Sequence, residues 1–185
     1  YLSLGSTSFD VLTKLSQSSE NFELALIGIA LTLTAFLFKL GSFPCHAWVC
    51  DVYEGALVSV SVFFSVIPKT VIFCLLFKLF FLTFSGFSGF WSIVFNFSGI
   101  LSIFVSSVGA LYQKRTKRLL AYSAIGHVGF ILLAFSTGMI ESLKVAVVYL
   151  FIYMVMNIGV FSLIMGFSSK GFLLKYLISW SFLKK

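Results

Sequence analysis

The sequence predicts an all-α integral membrane protein with about five transmembrane helices. Of its 185 residues, 59% are hydrophobic and only 10% are charged, whereas a soluble domain carries about 25% charged residues. The mean hydropathy is +1.07, so too little polar surface is available to coat a water-facing globule. Long apolar runs alternate with short polar loops, and each run is close to the ~20 residues that cross a bilayer as a helix. The expected solvent of most of this chain is therefore lipid.

The chain divides into a loop, a bundle and a tail. Residues 1–23 are polar and Ser-rich and are predicted to form a surface loop, and residues 24–168 are predicted to form the transmembrane bundle. Residues 169–185 alternate apolar and basic side chains, which is typical of a basic interfacial tail or the start of a further helix. The five spans are expected at about 24–55, 57–83, 90–112, 119–135 and 143–167.

The first span is predicted to be broken. The segment FKLGSFPCHAWVCDVYEGA, residues 38–56, interrupts an apolar run with Gly41 and Pro44. These residues disturb the helical hydrogen-bond ladder and are expected to leave free carbonyls and amides inside the membrane, which is tolerated only where protein or water reaches them. Broken helices of this kind build ion sites in transporters. The sequence thus predicts a hydrated turn within the first span.

Two lysines lie well inside predicted spans. Lys39 directly precedes the break and Lys69 follows Pro68, whereas Lys78 is close enough to a span end to reach the headgroups. An ammonium group in hydrocarbon is costly, so it must find an anion or release its proton. The functional interpretation is that Lys39 and Lys69 are proton-transfer stations in a polar path. The structural interpretation is that they reach toward headgroups or neutralise carboxylates.

His46 and the cysteines are the other chemical groups near the break. His46 is a candidate member of the proton path because an unperturbed histidine titrates near neutral pH, although a structural histidine bonded to a carbonyl fits it as well. Cys45, Cys50 and Cys74 form no disulfide framework, and Cys45-His46-x-x-x-Cys50 supplies at most three ligands, so no metal site is predicted. The sequence contains no nucleophile motif, phosphate loop or flavin site, and no cofactor is expected in this chain.

Charge asymmetry predicts the orientation. The net charge is +7, but no basic groove or aromatic–basic alternation indicates a nucleic-acid partner. Five alternating spans place the basic loop from Lys114 to Arg118 and the lysines of the tail on one face, and a near balance of charge on the other. Because basic residues accumulate on the cytoplasmic or matrix side of membrane proteins, this loop and tail are expected on that side.

Several motifs resemble one family. The broken-span segment with DVYEGA at residues 51–56 is similar to the signature of the antiporter-like membrane-arm subunits of respiratory complex I. Within that family, DVYEGA and SVIPKT at residues 65–70 resemble subunit 2 of mitochondrial NADH dehydrogenase and its bacterial N-type counterpart, as does the spacing of 30 positions between the two buried lysines. KRLLAYSAIGHVGF at residues 117–130 and YLFIYMVMNIGVF at residues 149–161 are similar to two later helices of the family.

The resemblance implies a proton-translocating subunit of NADH:ubiquinone oxidoreductase, multi-pass in the mitochondrial inner membrane, with the basic loop on the matrix side. It implies that Lys39 is the central lysine of the proton path and Lys69 the connecting lysine. His127 falls on a histidine of the family, for which a role in a water network and a structural role both stay open. Flavin, iron–sulfur clusters and quinone are then expected in partner subunits. Two alternatives remain: a cation/proton antiporter subunit, and a non-pumping structural subunit of the same complex.

Two functional groups of the family have no counterpart in these residues, namely the glutamate that pairs with the central lysine and a lysine toward the proton exit. Within the sequence, Glu23 and Glu141 fall at span ends, and Asp51 and Glu54 near the matrix end of the broken helix. We therefore expect a split subunit, in which another membrane-arm chain of complex I supplies the missing helices and the glutamate partner of Lys39. Membrane lipids are further expected partners.

Overall fold

The structure, a computed structural model, describes residues 8–15 and 22–168, and all regular elements within these two stretches are helical. The predicted all-α fold class is confirmed. The predicted tail, residues 169–185, lies outside the described residues. The helices are α1 (Phe9–Leu15), α2 (Phe22–Leu40), α3 (Ala47–Gly55), α4 (Val58–Leu76), α5 (Ser88–Leu111), α6 (Thr116–Ser136) and α7 (Ile140–Ser168).

Four helical stretches are long and apolar enough to cross a membrane, and α2 contributes a shorter apolar stretch, Ala25–Leu40. α4 reaches this length because it continues as a π-helix over Phe77–Thr83. α2 and α3 lie where the sequence predicts one broken span. The four long stretches are Val58–Thr83, Ser85–Leu111, Thr116–Ser136 and Ile140–Gly166.

α1 is a helix within residues 1–23, where the sequence predicts a loop. Asp10 in its first turn and Lys14 in its last turn complement the helix dipole and stabilise so short a helix. The Lys78 Nζ atom lies 4.8 Å from the centroid of the Phe9 ring. This cation–π contact shows that α1 packs beside the π-helical end of α4. The ammonium group of Lys78, which was expected to reach the headgroups, lies against α1 instead.

α5 and α6 approach each other at glycines. A Cβ atom on Gly99 would lie 3.0 Å from the carbonyl oxygen of Gly129, and a Cβ atom on Gly129 would lie 2.9 Å from the carbonyl oxygen of Gly99. One turn along α6, a Cβ atom on Gly126 would lie 2.7 Å from Ser106 Oγ. Small residues let membrane helices associate closely where lipid tails provide no hydrophobic drive. α5 and α6 therefore form a tight hairpin, against which α2, α3 and α7 pack.

Two apolar clusters fill the described bundle. The first includes the second half of α4 and the first half of α5, and its aromatic centre consists of the fully buried Phe80, Trp91 and Phe95. The second joins α3 to α6 and α7 at the end nearer the basic loop, through residues that include Tyr53, Ile125 and Tyr153. Tyr153 also reaches the candidate site, so the apolar packing of α3, α6 and α7 positions that site.

Candidate functional site

The break in the first span is a closed turn. α2 ends at Leu40, and Gly41 has a φ angle of +70°, which favours glycine because other residues are strained there. A side chain at Gly41 would also overlap Val49 of α3. The Phe43–Pro44 peptide bond that follows is cis. Glycine is therefore required at the residue where the chain leaves α2.

Side chains of α3 and α5 hold the backbone of this turn. The Phe43 N–H donates to Ser102 Oγ at 2.8 Å, and Ser98 Oγ donates to the Phe43 carbonyl at 2.7 Å. Trp48 Nε1 donates to the Phe38 carbonyl at 3.0 Å. The expectation of free backbone groups is thus wrong at Phe43 and Phe38. The physical reason is the register of α5, where two serines four positions apart lie on one helix face and both reach the turn.

Lys39 lies in the last turn of α2, where a cation complements the helix dipole. Its side chain is exposed, and the described residues offer its amine neither an ion pair nor a hydrogen bond. Neighbouring apolar side chains on α2 are also open, with Leu31 66% and Phe38 53% exposed. Lys39 therefore sits at an edge of the described structure, and its predicted role in proton transfer stays a prediction.

Lys69 has the opposite setting. Its residue is only 5% exposed, and its Nζ atom donates to the Tyr153 hydroxyl at 3.4 Å, with the tyrosine ring centroid 5.7 Å away. The Tyr153 hydroxyl donates in turn to the carbonyl of Ser65, at 3.1 Å. Asn157, one turn later on α7, donates from Nδ2 to the Tyr153 carbonyl at 2.8 Å. The amine of Lys69 is thus held inside the bundle by uncharged groups.

His127 joins the same cluster from α6. It is partly buried, and its Nδ1 atom lies 2.7 Å from the hydroxyl of Tyr149. Its ring centroid lies 5.4 Å from that of Tyr153 and 5.9 Å from that of Tyr149. The structure therefore brings Lys69 and His127 together around two tyrosines that lie one helical turn apart on α7. We call this set the polar cluster: Ser65, Lys69, His127, Tyr149, Tyr153 and Asn157.

His46 lies at the break and contacts the turn. It occupies the N-cap position of α3 without a side-chain capping bond, and its ring stacks on that of Phe43 with centroids 6.0 Å apart. Its Nδ1 atom is buried and has no hydrogen-bond partner among the described residues. The role of His46 in the proton path stays a prediction.

The carboxylates of α3 pair with the basic loop. Arg118 contacts Asp51 at 2.8 Å and Glu54 at 2.6 Å, and Arg115 forms a second ion pair with Glu54. Lys117 Nζ donates to the carbonyl of Ala56, the C-cap residue of α3, at 2.7 Å. The DVYEGA motif and the basic loop therefore form one latch. Asp51 and Glu54 are thus paired with arginines of the basic loop.

Cys45, Cys50 and Cys74 are free thiols. Across residues 8–15 and 22–168, no group of three or more His, Cys, Asp and Glu side chains is placed to hold a metal ion.

Sequence reasoning missed the groups that connect the site. It singled out Lys69 and His127, but not the tyrosines between them or the serines that hold the turn. A signal was present, because Tyr149, Tyr153 and Asn157 follow one another at four-residue spacing in an otherwise apolar helix. Such a row lies on one helix face, and polar groups buried in an apolar setting need partners.

The whole chain, residues 1–185, matches the family described as NADH:quinone oxidoreductase/Mrp antiporter, TM. The chain belongs to this family. The resemblance drawn from the motifs is thereby confirmed, and the two motifs of the latch and the helix of the polar cluster all lie within the matched region.

Relatives in this family include proteins of bacteria and plants. NADH-quinone oxidoreductase subunit N of Paramagnetospirillum magneticum is 37% identical over 172 residues, covering 90% of this chain and 35% of the relative. NADH-ubiquinone oxidoreductase chain 2 of Marchantia polymorpha is 36% identical over 191 residues, covering 98% of this chain and 37% of the relative. Chain 2 of Arabidopsis thaliana is 35% identical over 90% of this chain. The chain thus spans about a third of the length of these curated relatives.

Proposed function

We propose that this chain is part of a membrane-arm subunit of proton-pumping NADH:ubiquinone oxidoreductase and carries part of its proton path through Lys39 and Lys69. The observation that carries the proposal is the buried Lys69 amine, held by a tyrosine hydroxyl beside His127 in a transmembrane bundle. Family membership and the names of the relatives support the same assignment. NADH oxidation and quinone reduction then belong to partner subunits that hold the flavin, the iron–sulfur clusters and the quinone.

The chemistry asked of Lys69 is to gain and lose a proton inside the membrane. A charged side chain there is expensive, and such residues mark ion and proton pathways. The contacts of Lys69 in the described structure are a hydroxyl oxygen and an aromatic face. An amine with uncharged partners changes its protonation state more readily than one fixed in a buried ion pair. This setting suits a station that passes protons on.

For Lys39 we propose a carboxylate partner from a helix outside these residues, in another membrane-arm subunit of the complex. The exposure of Lys39 supports this proposal, as does the engagement of Asp51 and Glu54 in the latch. A carboxylate that approaches Lys39 would hold the ammonium form, and its withdrawal would favour proton release. The pair would then couple proton movement to rearrangement of the neighbouring helix.

The location we propose is the mitochondrial inner membrane, with the basic loop and the tail on the matrix side. The excess of basic residues in that loop supports this orientation. The plant relatives, both named NADH-ubiquinone oxidoreductase chain 2, are compatible with this location. Membrane lipids and further membrane-arm subunits are the partners expected along the exposed apolar faces of α2 and α7.

Replacement of Lys39 by methionine in the assembled complex tests the proposal. The variant removes the amine and keeps an unbranched side chain of similar length. We expect normal assembly on native gels but fewer protons pumped per NADH oxidised in sealed membrane vesicles. Lys144→Met, which changes an exposed lysine at the start of α7, is the matched control and should pump normally. An unchanged proton count for Lys39→Met would favour the non-pumping structural subunit instead.

The second candidate function is a cation/proton antiporter subunit. It is favoured by the description of the family, which includes Mrp antiporters. Purification in mild detergent separates the two, because a complex I subunit copurifies with a flavin- and iron–sulfur-containing NADH-oxidising arm. Recovery with other membrane subunits alone, together with sodium-dependent proton exchange in vesicles, would overturn the assignment to complex I.

A further inference from the structure

We propose that Tyr153 is a positioning residue for Lys69, and that its hydroxyl keeps the lysine amine turned toward His127. This inference rests on the proposed function, because it assigns to Tyr153 the placement of an amine through which protons pass. Tyr153 contacts both side chains, through a hydrogen bond from Lys69 and through ring contact with His127.

The direction of the hydrogen bonds defines the role. A tyrosine hydroxyl carries a single proton, and in Tyr153 that proton is donated to the carbonyl of Ser65 at 3.1 Å. The hydroxyl therefore faces Lys69 Nζ, 3.4 Å away, with a lone pair. Tyr153 accepts from the amine and has no proton left to give it. The geometry points to a residue that holds Lys69 in place, rather than to a further member of the proton chain.

The anchor of Tyr153 lies on the same helix as the lysine. Ser65 precedes Lys69 by one turn of α4, and Pro68 lies between them inside the helix. Because proline has no backbone N–H, this turn of α4 lacks one of its ladder hydrogen bonds. The Tyr153 hydroxyl thus binds both the Ser65 carbonyl in this weakened turn and the amine of Lys69, which projects from the same turn. A shift of α7 would therefore move the backbone turn and the amine together.

The aromatic faces complete the placement. A lysine inside a span can extend its flexible stem toward the headgroups, yet Lys69 is 5% exposed and its Nζ atom lies 5.7 Å from the centre of the Tyr153 ring. His127 also neighbours that ring, with centroids 5.4 Å apart. Tyr149 binds His127 Nδ1 from the preceding turn of α7. One face of α7 thus orients both titratable side chains.

A packing role is the rival explanation, since Tyr153 is 3% exposed and belongs to the apolar cluster of α3, α6 and α7. Packing depends on the ring, whereas positioning of Lys69 depends on the hydroxyl. Tyr153→Phe keeps the ring and removes only the oxygen, so it separates the two roles. Phenylalanine is also compatible with an apolar cluster that already contains Phe161.

The experiment compares Tyr153→Phe, Lys69→Met and the double variant in the assembled complex within sealed membrane vesicles. The rate of NADH-driven proton pumping is measured per assembled complex, with assembly quantified on native gels. We expect Tyr153→Phe to assemble normally and to slow proton pumping about fivefold, the equivalent of one lost hydrogen bond. If Tyr153 acts through Lys69, the double variant pumps no less than Lys69→Met alone. Tyr112→Phe, at an 80% exposed tyrosine, is the matched control and should pump normally.

The outcomes separate this inference from the proposed function. Normal pumping per assembled complex in Tyr153→Phe, with a defect in Lys69→Met, would overturn the positioning role and leave the proposed function intact. A further loss in the double variant would overturn it too, because the tyrosine would then act apart from Lys69. Normal pumping in Lys69→Met would overturn the proposed role of Lys69, and the inference with it.

Discussion

The regions around Lys39 and Lys69 are built in opposite ways. Around Lys39, the specific hydrogen bonds are made to the backbone, as at Phe43, while the lysine amine itself is exposed. Around Lys69, the specific bond is made to the amine, by the hydroxyl of Tyr153. The described residues therefore bind the amine of Lys69, whereas beside Lys39 they hold only the backbone of the turn.

This difference separates the expected effects of mutations. Substitutions at the Lys39 turn remove contacts of the backbone, so they should lower the stability and the assembly of the subunit. Substitutions in the polar cluster remove a contact of one amine and should alter proton transfer in a complex that still assembles. Two variants at the turn test the first half of this contrast, and a third tests the latch near the other end of α3; they follow in order of decreasing effect.

The largest effect is expected for Gly41→Ala. Alanine at a φ angle of +70° is strained, and its Cβ atom would overlap Val49, so we expect a loss of stability of about 3 kcal/mol. The measurements are the amount of assembled complex on native gels and the midpoint of thermal inactivation. The matched control is Gly28→Ala within α2, where a Cβ atom meets nothing within 4 Å and alanine favours the helix. Equal assembly of the two variants would contradict the closed turn.

A smaller effect is expected when both serines that hold the turn are replaced, in Ser98→Ala/Ser102→Ala. The double variant leaves the N–H and the carbonyl of Phe43 without these partners, and we expect a cost of about 2 kcal/mol. Thermal inactivation of the assembled complex measures it. Ser107→Ala, at an exposed serine of the same helix that bonds only to its own helix, should leave the midpoint unchanged. A midpoint equal to wild type in the double variant would show that the serines do not support the turn.

The smallest effect is expected for Arg118→Ala, which removes the bonds of the latch to Asp51 and Glu54. Partly exposed ion pairs contribute about 1 kcal/mol or less, so we expect a modest fall in the thermal midpoint that diminishes at high salt, where the pair is screened in wild type as well. Lys114→Ala removes an exposed lysine of the same loop that pairs with no described carboxylate and serves as control. Identical, salt-independent shifts in both variants would count against the latch.

The sequence was sufficient to predict the helical class and the break, because both depend on local chemistry. Hydropathy identifies apolar spans, and glycine followed by proline interrupts a helix wherever it occurs. α1 was missed, since seven residues give too short a pattern to distinguish a helix from a polar loop. The π-helix over Phe77–Thr83 was missed as well, because a phenylalanine-rich run carries no signal for the wider turn.

The candidate site was predictable residue by residue but not as an arrangement. Lys69 and His127 are conspicuous because titratable groups are rare in apolar spans. Their meeting around Tyr153 depends on the packing of α4, α6 and α7, which no spacing within one helix specifies. The closure of the turn by Ser98 and Ser102 depends likewise on the register of α5 against a segment 55 to 59 positions away in the chain.

The short helix α3 has a mechanical consequence. Its nine residues are attached to one hairpin at both ends, through the serines of α5 at the turn before it and through Arg118 of α6 near its close. Because both attachments are to the α5–α6 hairpin, α3 is expected to move with that hairpin as one body. A neighbouring polypeptide that pushes the α5–α6 hairpin would therefore drag the turn beside Lys39 along with it, without touching α3.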